Sequence, residues 1–152
     1  MSVHPNIQAL ASVIGYSEGT DRIPTSDNGY RALVGGKTFN SYAHHPNIRV
    51  WIPKYQIYST AAGRYQFIYK TWEGLQSKLG LPDFSPESQD QGMVELVDEK
   101  GAKKDFEAGR FDDGIAKIAS VWASLPGAGY GQREVRLEPL RQIYLDNGGE
   151  LA

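Results

Sequence analysis

A single acidic side chain stands where a predicted helix ends. The segment Tyr16–Asp21 reads Tyr-Ser-Glu-Gly-Thr-Asp, and Glu18 falls between an apolar helical stripe and a Gly-rich stretch. The negative end of the helix dipole and apolar neighbours would both raise the pKa of this carboxyl. A carboxylic acid that stays protonated near neutral pH can donate a proton to a glycosidic oxygen. The alternative is a solvated carboxylate in a Gly turn, which composition alone favours because most turn carboxylates are solvated.

Two further segments place polar side chains beside Gly. In Ser59–Gln66, small residues lead into Arg-Tyr-Gln, and the Gln66 amide could bind sugar hydroxyl and N-acetyl groups; an ordinary helix start explains the segment equally well. In Ala123–Gln132, three Gly stand at alternate positions. This segment follows a predicted helix and lacks the spacing of phosphate-binding loops. We therefore interpret it as a flexible backbone that presents Tyr130 and Gln132 to a cleft.

Metal and thiol chemistry are not favoured by the residues present. The chain has no Cys, only three His, and no His-Glu-x-x-His motif, so no zinc site is predicted. Residue counts leave a Ser-His-Asp triad open, although the Gly-x-Ser-x-Gly elbow is absent. We expect neither a metal nor another cofactor.

Composition and charge indicate a globular protein with no nucleic-acid partner. The 152 residues, 40% hydrophobic and 22% charged, fit one domain spanning residues 1–152. A net charge of −2 provides no general basic field for a phosphate backbone. The first residues lack the cationic region of a signal peptide, and no apolar run approaches the ~18 residues of a membrane span. We expect synthesis in the cytoplasm and no insertion into the membrane.

Helical periodicity and turn residues predict several helices around one small sheet. The predicted helices run over Pro5–Ser17, from Arg64 to Gly80, from the cap Ser85 to Gly101, over Asp112–Ala123 and over Arg133–Asn147. Pro139 either marks the start of the last helix or kinks it. Tyr30–Val34 and Ile48–Ile52 are the candidate strands. The prediction is an α+β domain with a mostly helical lobe, a small antiparallel β-sheet lobe and a cleft between them.

The apolar stripes of these helices predict the core. The residues placed there are Ile7, Leu10, Ala11, Ile14, Phe67, Ile68, Trp72, Leu75, Leu79, Met93, Leu96, Val97, Ile115, Ile118, Ala119, Trp122, Leu137, Leu140, Ile143 and Tyr144.

Specific short motifs extend over nearly the whole chain, from about Ile14 to Gly149. They are Ser17–Asp21, Gly29-Tyr30, Val34–Gly36, His45-Pro46, Ala62–Gln66, Leu79–Leu81, Asp83–Pro86, Ser88–Asp90 and Trp122–Gln132. In order and spacing this set resembles the lambda-type phage endolysins, lytic transglycosylases that cut bacterial peptidoglycan. The chain departs from the family pattern at Tyr16, Arg31 and Ala61 and in the loop Arg22–Asn28, and these changes leave the acid itself intact.

The resemblance implies a lysozyme-like fold with one catalytic carboxylate, Glu18. In this family the acid protonates the oxygen between N-acetylmuramic acid (MurNAc) and N-acetylglucosamine (GlcNAc). It then acts as a base while the muramic 6-hydroxyl attacks C1, which gives 1,6-anhydro-MurNAc. The resemblance also suggests five residues as walls of the glycan groove: Ser59, Tyr65, Gln66, Tyr130 and Gln132.

Two other functions stay open at this stage. A hydrolytic muramidase would need a second carboxylate to activate water, and Asp21 or Asp27 is the nearest candidate. A non-catalytic glycan-binding module is the other alternative. A monomer is the default expectation, since the sequence carries no signal of oligomeric state. The family resemblance further implies that the protein acts on peptidoglycan glycan strands. It would accumulate in the host cytoplasm and reach the periplasmic wall through a membrane hole made by a separate holin.

Overall fold

The computed structural model describes residues 3–129 and 134–152. Within them lie six α-helices, one short 3-10 helix and two strands. The helices are α1 (Pro5–Glu18), α2 (Tyr69–Leu79), α3 (Pro86–Glu99), α4 (Lys103–Glu107), α5 (Phe111–Ile118) and α6 (Leu137–Asp146), and the 3-10 helix is Thr20–Arg22. The strands β1 (Val50–Ile52) and β2 (Ile57–Ser59) pair antiparallel. The predicted α+β class is confirmed.

The chain divides into two compact units. The first contains the residues up to Glu18 together with Met93–Ala152, and it is helical. Its core forms where α1 contacts α4 and α6. Leu10 of α1 is fully buried there, and the rings of Phe111 and Tyr144 lie 4.6 Å apart between centroids. Burial of these apolar groups, more than helix propensity, stabilises helices of this length.

The second unit, Gly19–Gly92, contains the two-stranded sheet and α2. Its core is aromatic: the ring centroid of Trp72 lies 4.7 Å from that of Phe84 and 5.1 Å from that of Phe67. Gly80 ends α2 in a left-handed conformation with φ of 66°, the geometry that favours glycine at a helix end. This confirms Gly80 as the stop signal of the helix.

The β-hairpin in the second unit has a fixed register. Trp51 lies opposite Tyr58, between the pairs Val50–Ser59 and Ile52–Ile57. Since successive side chains on a strand point to opposite faces, the Trp51–Tyr58 pair lies on the face opposite to Ser59.

The strand prediction is only partly correct. Val50–Ile52 is a strand, but Tyr30–Val34 is not. Ala32 and Leu33 make only isolated bridges, to Thr38 and Ala62. Tyr30–Val34 has the composition of a strand, but no neighbouring strand is long enough to extend its isolated bridges into a ladder.

The prediction that a helix begins near Arg64 is wrong, because α2 starts at Tyr69. Gly63 and Gln66 both adopt left-handed φ values, 84° and 52°, which a right-handed helix cannot contain. Ile68, a predicted core residue, therefore precedes the helix and is 49% exposed.

The other helices follow the predictions more closely. Ser85 caps α3, since its Oγ accepts the backbone N–H of Ser88 at 3.3 Å. Pro139 lies in the first turn of α6, where its missing N–H costs nothing, so it marks the helix start.

The predicted helix Asp112–Ala123 ends early, at Ile118, and α4 was not predicted. Core predictions are confirmed at most positions, but Leu79 is 37% exposed.

Candidate active site

Glu18 is the last residue of α1. Gly19 follows with φ of 76°, a left-handed conformation that glycine adopts without the steric cost of a side chain and that ends the helix. The Glu18 side chain is half-buried. Its predicted position at a helix C-terminus, where the dipole places partial negative charge, is therefore confirmed.

A buried serine pair holds the Glu18 carboxyl. Ser124 Oγ donates a hydrogen bond to Glu18 Oε2 at 3.0 Å, and Ser17 Oγ lies 2.6 Å from Ser124 Oγ. Because the single hydroxyl hydrogen of Ser124 is used on the carboxylate, Ser17 donates the second bond. Ser17 is 1% exposed and Ser124 8%. The two serines are shielded from water, and their hydrogen bonds fix the orientation of the half-buried carboxyl.

Sequence reasoning missed both serines as functional residues. Ser124 is 106 positions from Glu18 in the chain, so no local motif joins them. The available signal was its position between Trp122 and Leu125, which are both buried. A buried hydroxyl requires a hydrogen-bond partner, but the sequence does not say which one.

The Gly-rich segment after Ser124 is held by a carboxylate from beyond it. Glu134 accepts hydrogen bonds from the backbone N–H groups of Gly127 and Gly129 at 3.1 and 3.0 Å. These bonds, chiefly that from Gly129, hold the pKa of Glu134 below its usual value. The predicted groove residues Tyr130 and Gln132 lie outside the described residues.

In the second unit, a tight turn presents Gln66. Ala62 and Phe67 exchange both backbone hydrogen bonds, at 3.0 and 2.9 Å, which closes the turn from Gly63 to Gln66. Gln66 has a left-handed φ of 52°, uncommon for a residue with a side chain, and its Nε2 donates to the carbonyl of Gly63 at 2.9 Å. Strained residues of this kind gather at functional sites, which supports Gln66 as a candidate.

Tyr65 lies beneath this turn and is fully buried. Its hydroxyl donates to Asp90 Oδ1 at 2.6 Å, and the Tyr30 hydroxyl donates to the same oxygen at 2.8 Å. Burial, followed by the charge of Asp90, raises the pKa of Tyr65 well above its ordinary value, so the hydroxyl keeps its proton. The geometry favours a role for Tyr65 in holding the turn over a direct contact with a ligand.

Ser59 is the last residue of β2 and is half-buried. Its Oγ accepts the backbone N–H of Ala61 at 3.2 Å. Ser59, Tyr65 and Gln66 all belong to the second unit, whereas Glu18 belongs to the first.

The two candidates for a second carboxylate are each engaged within the second unit. Asp21 Oδ1 forms an ion pair with Arg22 Nε at 3.5 Å and is a buried atom without a hydrogen-bond partner among the described residues. Asp27 Oδ2 accepts a hydrogen bond from the Tyr42 hydroxyl. Burial, followed by this bond, raises the pKa of Tyr42 to about 12, so Tyr42 stays a donor to Asp27 throughout the neutral range.

Across residues 3–129 and 134–152, no group of three or more His, Cys, Asp and Glu side chains is arranged to hold a metal ion. His45 instead bonds through Nε2 to the carbonyl of Phe67 at 2.8 Å. No helix in this part of the chain is long and apolar enough to span a membrane.

Comparison with known proteins gives one family. Residues 8–151 match the family described as Endolysin. The chain is 41% identical over 160 residues to the endolysin of Escherichia phage P2, covering 98% of this chain and 96% of that protein. It is 40% identical over 145 residues to the endolysin of Escherichia phage lambda, covering 93% of this chain and 90% of that protein.

Solved structures of lysozyme from bacteriophage lambda share the fold of this chain. The fold matches bacteriophage lambda lysozyme complexed with a chitohexasaccharide at a TM-score of 0.94 and 37% identity, covering 100% of this chain and 99% of that one. A second structure of lysozyme from bacteriophage lambda matches at a TM-score of 0.90 and 36% identity over the same shares. The chain therefore belongs to the endolysin family of peptidoglycan-degrading enzymes.

Proposed function

We propose that this endolysin is a lytic transglycosylase that cleaves the MurNAc-β-1,4-GlcNAc bond, with Glu18 as general acid and then as general base. The observation that carries the proposal is the carboxyl at the end of α1, held at 3.0 Å by the buried hydroxyl of Ser124. General acid catalysis needs a carboxyl in a fixed position within hydrogen-bond reach of the leaving oxygen.

The reaction balances without water. The Glu18 carboxylic acid donates its proton to the bridging oxygen, and the bond from that oxygen to C1 of the muramic sugar breaks. The 6-hydroxyl oxygen of the same sugar then bonds to C1, and its proton passes to the Glu18 carboxylate. The acid is thereby regenerated, and the muramic sugar ends as the 1,6-anhydro form. Because the nucleophile is intramolecular, a second carboxylate to activate water is not required.

The Ser124 hydroxyl suits both halves of this cycle. It donates to Oε2 of the carboxylate form of Glu18, and it donates to the same oxygen of the carboxylic acid form, whose proton is then on Oε1 and passes to the bridging oxygen. The bond from Ser17 holds the Ser124 side chain in place in either state.

Ser124→Ala should lower kcat about tenfold, since a hydrogen bond to a charged group contributes about 1.5 kcal/mol. KM should change less than about twofold, because the serine pair orients the acid and does not bind the glycan. Steady-state turnover of purified peptidoglycan measures both constants. Ser124→Thr, which keeps the hydroxyl, should recover most of the activity. An equal loss in both variants would contradict this role.

A glycan groove fits the residues of the second unit that sequence reasoning selected. We propose that Ser59 and Gln66 contact the sugar chain, together with Tyr130 and Gln132, and that Tyr65 supports Gln66. The known complex of the lambda lysozyme with a chitohexasaccharide supports a strand of β-1,4-linked amino sugars as the ligand of this chain too.

Hydrolysis by a muramidase is the second candidate reaction. Asp27 already binds the Tyr42 hydroxyl, and Asp21 faces its neighbour Arg22. The Asp27 carboxylate is thus occupied by Tyr42, and Asp21 Oδ1 is buried beside a cation; both features favour the intramolecular nucleophile. A non-catalytic glycan-binding module would not need the buried support around Glu18.

Product mass decides between the two reactions. After complete digestion of purified peptidoglycan, mass spectrometry should detect muropeptides one water lighter than hydrolytic fragments, because the anhydro ring replaces the reducing end. Fragments that end in reducing muramic acid would instead assign the enzyme to the muramidases. The same digest after borohydride treatment is the control, since only reducing ends are converted.

We further propose that the chain works as one catalytic domain and as a monomer. It would accumulate in the host cytoplasm and reach the periplasmic wall after a separate holin opens the membrane. Family membership supports this route.

A further inference from the structure

Charge is strongly segregated along the chain. Residues 28–72 carry six Lys and Arg side chains and no Asp or Glu, so the rest of the chain holds ten of the 16 basic side chains and all 18 acidic ones. The net charge of −2 conceals this difference. Arg64 is buried, but Lys37, Arg49, Lys54 and Lys70 are exposed, and exposed cations attract anionic partners.

The β-hairpin lies in the middle of this cationic segment and carries an aromatic pair. Trp51 and Tyr58 face each other across the strands with ring centroids 5.0 Å apart. The Arg49 guanidinium lies 4.4 Å from the centroid of the Tyr58 ring. Such stacking orients a guanidinium without neutralising its charge.

The hairpin side chains are exposed rather than packed. Trp51 is 47% and Tyr58 56% exposed, and Arg49 and Lys54 are also exposed. Among the described residues, no ion pair joins Arg49 or Lys54 to a carboxylate, and the hairpin's own segment contains none. Large exposed aromatic rings beside uncompensated cations are typical of a binding surface.

We propose that the hairpin surface, defined as Arg49, Trp51, Lys54 and Tyr58, binds the peptidoglycan strand through its peptide stems and sugar faces. The inference rests on the proposed function, because it takes the polymer substrate as the partner. Peptide stems carry carboxylates, which a guanidinium binds bidentately, and sugar rings have apolar faces that pack on aromatic rings. One polymer thus supplies both chemistries that the hairpin surface offers.

The hairpin surface is distinct from the predicted groove contact at Ser59. Trp51 and Tyr58 lie on the opposite face of the sheet, because Ser59 pairs with Val50. The hairpin surface therefore adds a contact with the polymer beyond the sugars that Ser59 would reach.

The test measures binding of full-length Glu18→Gln protein to purified sacculi by sedimentation, so that the polymer is not consumed. Arg49→Gln with Lys54→Gln removes the two cations. Lys100→Gln with Lys104→Gln is the matched control, since both lysines are exposed and lie outside the cationic segment. The hairpin variant should bind about five- to tenfold more weakly at low salt, as expected for two surface charge contacts. The control should stay within about twofold of the parent, and high salt should remove the difference.

Sacculi stripped of peptide stems by an amidase identify the partner group. On these bare glycan strands, the parent and the Arg49/Lys54 variant should bind alike. A difference that persists there, or equal binding of the two to intact sacculi, would overturn the proposal. The proposal would also be overturned if the parent and the Arg49/Lys54 variant differed in binding to phosphatidylglycerol vesicles but not to sacculi, because the cations would then bind lipid headgroups.

The aromatic pair is tested by Trp51→Thr with Tyr58→Thr, since Thr suits a strand. This variant should bind both intact and stripped sacculi more weakly than the parent. Unchanged binding would show that the two rings do not contact the polymer. If it does not fold, as judged by circular dichroism, the cation variant still decides the proposal. Binding is measured without catalysis, so an absence of anhydro products would count against the proposed function and leave these results standing.

Discussion

Glu18→Gln should abolish peptidoglycan turnover while leaving the fold and sugar binding intact. The amide keeps the shape of the side chain and can still accept the bond from Ser124. It cannot supply the proton that the leaving oxygen needs, nor take the proton of the 6-hydroxyl. Loss of general acid–base catalysis costs about 10²–10⁴-fold, and Glu18 serves in both halves of the reaction. We therefore expect the upper end of that range in kcat.

Release of soluble muropeptides from purified sacculi measures this loss, and sedimentation with the same sacculi measures binding. The matched control is Glu73→Gln, an exposed acid on α2, which should keep the parental rate. Thermal unfolding of both variants should stay close to that of the parent. Clearance of cell walls by Glu18→Gln at the parental rate would show that another group is the acid.

Local sequence signals predicted that Glu18 stands at a helix end, and the structure confirms that position. Its role as the acid came from the family resemblance and stays a proposal. The stop at Gly19 and the apolar stripe before it are both readable within a few residues. The hydrogen bond that supports Glu18 could not be predicted in this way, because Ser124 lies 106 positions away in the chain. Only folding brings the two together, and many buried serines have other partners.

The errors in the fold prediction have the same origin. The stretch after Arg64 has helical periodicity, but its backbone is set by the pairing of Ala62 with Phe67, and the distant Gln89 holds this turn by accepting the Arg64 N–H at 3.0 Å. Helix α4 has only five residues, too short to stand out by periodicity or to form alone. Asp105 in it is held by Lys117 at 2.7 Å and by Arg110 at 3.0 Å, contacts that no window of that length contains.

Gly63→Ala should cost about 2–4 kcal/mol of unfolding free energy, through overpacking and an unfavourable backbone conformation together. Gly63 has φ of 84°, and an added Cβ would meet Phe84 Cζ and Gln89 Cδ, both at 2.9 Å. Gln89 cannot withdraw, because its Oε1 accepts the Arg64 N–H at 3.0 Å and its Nε2 donates to the carbonyls of Tyr30 and Phe84 at 3.0 and 2.9 Å. The strain would be relieved by moving the turn that holds Gln66.

Gly36→Ala separates the two causes. Gly36 has nearly the same φ, 89°, but nothing lies within 4 Å of its added Cβ. The Gly36→Ala variant should therefore lose only the unfolding free energy that comes from the unfavourable backbone conformation, about 1 kcal/mol. Urea unfolding followed by tryptophan fluorescence measures both variants against the parent. Gly63→Ala should also raise KM, because the carbonyl of Gly63 holds the Gln66 amide at 2.9 Å, whereas Gly36→Ala should not. Equal losses of stability would mean that the turn accommodates a methyl group and that its close packing does not fix Gln66.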